Sequence, residues 1–105
     1  MVHEYQGEFG YDKPTVENWK YSLTGVYYIG SRSASGSFAG IHYVGRATGD
    51  GGIRTRLLQH LAEDKWPDCT VFGYKKCDSA AEAEAHETAE IRRLQPKYNK
   101  VGKYA

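Results

Sequence analysis

Two short runs of β-forming residues, each bounded by glycine, constrain this chain more than anything else in it. Gly25 to Ile29 reads as a strand, Ser31–Gly40 as a Ser/Gly/Ala loop, and Ile41 to Gly45 as the returning strand. Together they predict a β-hairpin with a long tip. Gly49-Asp50-Gly51-Gly52 then breaks the chain before a helix from about Ile53 to Asp64, striped by Ile53, Leu57, Leu58 and Leu61. Trp66-Pro67-Asp68 ends that helix, and Thr70 to Lys76 reads as another strand. Ser79, with Glu82 three residues on, opens a second helix that runs to about Leu94 and stops before Pro96. The order β-β-α-β-α predicts an α+β domain, a small three-stranded sheet covered by helices.

At 105 residues, one domain is expected, large enough to fold without a disulfide or metal staple. Residues 1–23 lack clear periodicity but carry Tyr5, Phe9, Tyr11, Trp19 and Tyr21, so they are expected to pack on the domain at 24–100 as an extension. Residues 101–105 read as a basic tail. The net charge of +1 does not declare a nucleic-acid binder, but its distribution is uneven. Five basic residues and no acidic one lie between Arg92 and Ala105, whereas four acids face two lysines in the first twenty positions. A basic end beside a helix suits a phosphate backbone, although a solvated tail has the same composition. Cys69 and Cys77 bracket an expected strand, which would hold them roughly 26 Å apart, beyond disulfide reach. Free thiols, no secretory signal and no membrane-spanning apolar run lead to the expectation of a cytoplasmic protein without membrane partners.

Glu87 is the most informative single position. On the second helix Ala80, Ala83, Ile91 and Leu94 all fall within about 40° of it, which places a carboxylate on the apolar stripe. Such a group needs a cation, a donor network or an opening to solvent. A divalent metal is one such cation; a tyrosine or arginine partner at the end of the core is the plainer alternative. Arg56 and His60, four apart, share one helix face, with Arg54 on the other border of the stripe. An arginine there offers a permanent charge and a two-pronged fork for phosphate, or simply an exposed helical pair with His60. Tyr27 and Tyr43 share sheet faces with small or apolar residues, as core tyrosines do. A phenol is a poor base near neutrality unless a metal, an arginine or a histidine assists it.

Taken jointly and in order, Gly25-Val26-Tyr27, Tyr43-Val44-Gly45, Arg56 with His60, Glu87, and Pro96 with Asn99 resemble the GIY-YIG endonucleases over about residues 24–99. The literal string Gly25-Val26-Tyr27-Tyr28-Ile29-Gly30 misleads, because the second half of the family motif belongs on the next strand, at Tyr43. The resemblance implies an antiparallel sheet and a DNA endonuclease. Water would attack a phosphodiester in line and leave a 5′-phosphate. Tyr27 and Tyr43 would flank the water, one of them as general base. Arg56 would stabilise the transition state, and His60 would hydrogen-bond a tyrosine or assist proton transfer. Glu87 would bind one Mg²⁺ or Mn²⁺ ion. Arg46 would contact phosphate, Lys97 and Asn99 would serve the substrate side, and Asn99 would mainly brace the site.

Two other readings compete. One is a catalytically silent nucleic-acid-binding module of the same fold, favoured by the near-balanced charge. The other is a zinc hydrolase, prompted by His86-Glu87-Thr88-Ala89-Glu90, which departs from the two-histidine helix motif at its last position. Loops, the N-terminal segment, a homodimer or a partner protein would have to supply DNA specificity.

Overall fold

The computed structural model describes residues 1–19, 21–32, 38–49, 51–64 and 66–99. The expected basic tail, Asp50 and the centre of the expected hairpin loop lie outside these. The order along the chain is β1 (Gln6–Gly10), α1 (Lys13–Asn18), β2 (Gly25–Arg32), β3 (Phe38–Ala47), α2 (Gly52–Glu63), β4 (Val71–Lys76) and α3 (Ala80–Leu94). The class is α+β: a four-stranded antiparallel sheet in the order β1-β4-β2-β3, flanked by helices.

The three-stranded expectation is corrected by the N-terminal stretch, which is part of the sheet. β1 pairs with β4, setting Phe9 opposite Phe72 and Gln6 opposite Tyr74. Phe9 packs on Phe72 and Tyr74 with ring centroids 5.4 and 6.1 Å apart, so aromatic burial drives the pairing where strand propensity is poor. α1 follows, its Asp12 cap accepting the Thr15 N–H at 2.9 Å.

The central strand, β2, is buried on both faces. Tyr27 and Ile29 point to the side of α1 and α2, where they join Val16, Ile53, Leu57 and Phe72. Val26 and Tyr28 point to the other side, against Val44, Cys77 and Ala83, the last from α3. The hairpin is longer than expected, since β2 and β3 reach into the Ser31–Gly40 stretch. Cys69 and Cys77 flank β4 as free, buried thiols. Ser79 caps α3 through the Glu82 N–H at 3.2 Å, and Gln95 ends it in the left-handed conformation before Pro96. Among the described residues no helix is long and apolar enough to cross a membrane.

Candidate active site

Glycines let the two motif tyrosines meet. The register places Tyr27 opposite Gly45 and Ile29 opposite Tyr43. A Cβ on Gly45 would lie 2.5 Å from the Tyr27 ring, so only glycine lets that ring cross β3. The register then slips at His42, between the Ile29–Tyr43 and Gly30–Ile41 pairs. Such a bulge re-aims the side chain beside it, here Tyr43. The Tyr27 and Tyr43 ring centroids end 6.1 Å apart.

Behind them stands α2. Its His60 is 5 % exposed, and its Nε2 lies 2.8 Å from the Tyr27 hydroxyl. Glu63 Oε1, 4.0 Å from Nδ1, favours a proton on that nitrogen, which leaves Nε2 to accept from Tyr27. Burial, reinforced by Tyr43, pushes the Tyr27 hydroxyl far above the ordinary tyrosine range, with Arg56 opposing. The Tyr27 hydroxyl therefore stays protonated near neutral pH, within hydrogen-bond reach of His60. Tyr43 is raised too, by burial first and Glu87 second, and Arg56 again opposes.

Tyr43, Arg46, Arg56 and Glu87, together with Ala47, Thr48 and Gly49, line one open cleft of about 350 Å³. Four chemistry-bearing residues from β3, α2 and α3 thus share a wall. In the structure Arg56 donates to Gln59 Oε1 at 2.8 Å, and Arg46 Nη1 donates to Glu87 Oε1 at 2.8 Å. Arg54, on the other border of α2, donates to the Glu17 carbonyl instead.

Asn99 and Lys97 are not among the residues that line the cleft. The Asn99 amide accepts from the Val44 N–H and donates to the Val44 carbonyl, both at 2.8 Å, which fixes the strand between Tyr43 and Gly45. Lys97 points to Asp68, with Nζ–Oδ2 at 2.8 Å, rather than into the cleft.

The reading of α3 needs one correction. Ala83, Ile91 and Leu94 face the core as expected, but Glu90, on the same side of the helix, is buried more deeply than Glu87. Glu87 sits toward the rim with its side chain 16 % exposed, and Glu90 is the buried carboxylate at 5 %. Glu90 accepts from the Tyr28 hydroxyl at 2.7 Å and from Arg93 at 2.6 and 3.1 Å, with Lys75 at 3.5 Å. Arg93 first, then Tyr28, holds its carboxyl down at about 2 despite burial. His86 approaches the same group, 3.3 Å from the Tyr28 hydroxyl and 3.6 Å from Glu90. His86 and Glu87 therefore serve different partners, and the zinc-hydrolase arrangement does not assemble.

Trp66, which the sequence offered only as a helix terminator, stacks on Tyr43 at 4.4 Å and lies 4.7 Å from His60. No periodicity signals that role. Its sequence neighbourhood, directly after the Arg56–His60 helix, is the only hint.

Among the described residues no three His, Cys, Asp or Glu side chains gather to cage an ion. A hydrated Mg²⁺ commonly takes one or two carboxylates and completes its shell with water and substrate phosphates. Glu87, the one carboxylate among the described residues that line the cleft, fits a hydrated ion of that kind. Comparison with protein-family models, curated proteins and solved structures finds no match to this chain.

Proposed function

We propose that the protein is a divalent-cation-dependent endonuclease of the GIY-YIG type that hydrolyses DNA phosphodiesters. The observation that carries this reading is the convergence of Tyr43, Arg46, Arg56 and Glu87 on one open cleft, backed by the Tyr27–His60 hydrogen bond. A phosphate in the cleft would meet two guanidiniums, which favour an oxyanion and grip it with paired donors. Arg56 balances the charge that develops as water adds in line. Tyr43, at the cleft wall, orients that water through its hydroxyl. Tyr27 and His60 hold Tyr43 from behind, and Trp66 covers its other side. Glu87 would hold the ion, whose contribution when bound is to neutralise charge on the phosphate and the leaving oxygen.

The experiment is cleavage of supercoiled plasmid and of branched, flapped and single-stranded oligonucleotides with Mg²⁺, Mn²⁺ or EDTA, with wild type beside Glu87→Ala. Metal-dependent cutting that the variant loses is the expected result. Salt-dependent DNA binding without cutting in any metal would instead make the chain a silent binding module.

A further inference from the structure

Glu87, the side chain that would receive the ion, already has a cation on it. Its Oε1 lies 2.8 Å from Arg46 Nη1, and both residues line the same cleft. Their exposures differ: Arg46 is 43 % exposed, whereas Glu87 is 16 % exposed. Arg46 is therefore the partner with room to move. A dication approaching Glu87 meets the guanidinium's positive charge at close range, and like charges a few ångströms apart oppose one another. A backbone phosphate entering the cleft competes for the same guanidinium and offers it a two-pronged acceptor.

On the nuclease reading, we propose that Arg46 is a positioning residue that keeps Glu87 closed to cations until a nucleic-acid phosphate draws its guanidinium away. Three consequences follow. The free protein holds its ion weakly. The phosphate opens the carboxylate as it enters. Because coupling between two ligands is reciprocal, the cation must tighten DNA binding by the factor by which DNA tightens cation binding. The proposal thus assigns Arg46 two successive partners, Glu87 in the free protein and phosphate in the complex.

Mn²⁺ titration of the intact protein, with free ion read by electron paramagnetic resonance, tests this without any turnover. Arg46→Gln should bind Mn²⁺ about tenfold more tightly than wild type, from the loss of one nearby positive charge, and Glu87→Gln should lose that ion. A gain in affinity is not what a merely damaged fold produces. In a second arm, anisotropy of a labelled duplex is read in Ca²⁺ and in EDTA. Wild type should bind more tightly with Ca²⁺, and Arg46→Gln should show less of that gain. Equal Mn²⁺ affinity in wild type and Arg46→Gln, with Glu87→Gln still losing the ion, overturns the latch and leaves the nuclease standing. Absence of a Glu87-dependent ion in Arg46→Gln as well overturns the latch, whereas the nuclease reading falls only if cleavage needs neither Glu87 nor a divalent metal.

Discussion

Tyr27 and Tyr28 are neighbours on one strand, nearly the same in burial at 0 and 2 % exposure, and they face opposite sides of the sheet. Each gives its hydroxyl to a side chain of a covering helix, His60 at 2.8 Å and Glu90 at 2.7 Å. Burial raises both hydroxyls well above the usual tyrosine range. The difference lies in what surrounds each pair. Around Glu90 the cluster closes on itself, because Tyr28, Arg93, Lys75 and His86 all converge on one carboxylate. Beyond Tyr27 and His60 the polar groups open outward, through Tyr43, onto the cleft that Arg46, Arg56 and Glu87 line. A polar cluster that satisfies itself stabilises the fold; one with its donors turned to open space is available to a ligand.

The contrast is sharpest at Arg56. Its exposed side chain carries little of the fold, so Arg56→Ala should melt with wild type while cleavage falls by two to three decades, about 3–4 kcal/mol of barrier. Cleavage within a factor of about three of wild type would break the assignment of that wall to catalysis. Glu90→Ala should do the reverse. Removing the centre of a buried charge cluster should cost roughly 3 kcal/mol in urea unfolding, with cutting per folded molecule unchanged. An unaltered midpoint would mean that the cluster contributes nothing.

Acid should separate the two faces next. Glu90 is held near 2 when folded, below its ordinary value of 4.5. Its contribution is therefore complete above pH of about 5 and lost as pH falls toward 2, up to about 3 kcal/mol. Glu90→Gln should flatten that part of the stability–pH curve, and a parallel curve would disprove the link. The smallest effect belongs to the tyrosines. Tyr27→Phe and Tyr28→Phe should each destabilise by about 1–2 kcal/mol, and only Tyr27→Phe should slow cleavage. Slowing by both would erase the distinction between the faces.

The hairpin and both long helices were legible because their signals are local: β-formers between glycines, a 3.6-residue stripe, the Ser79 cap. β1 was not, since Gln6-Gly7-Glu8-Phe9-Gly10 holds two glycines and no alternation, and its partner β4 lies some sixty residues along the chain. α1 left a readable trace in Asp12 followed by Pro14, a cap with proline in the first turn, which the lack of periodicity obscured. Within the site, four of the seven residues that line the cleft, Tyr43, Arg46, Arg56 and Glu87, were nominated through the resemblance. The sequence misjudged Glu87 against Glu90 because a helical wheel fixes angles between residues but not how deeply each is buried. The Lys97–Asp68 pair was not legible either, because the two residues lie 29 positions apart with no local signal linking them.

Asn99 has one more consequence. β3 is an outer strand of the sheet, and the groups of Val44 that Asn99 engages point away from β2. A single side-chain amide thus stands in for a fifth strand, one residue wide. It occupies the middle of a border where a second molecule would otherwise add its own backbone. The same two hydrogen bonds that hold the strand beside Tyr43 therefore also occupy the backbone groups through which a sheet border would take on a further strand.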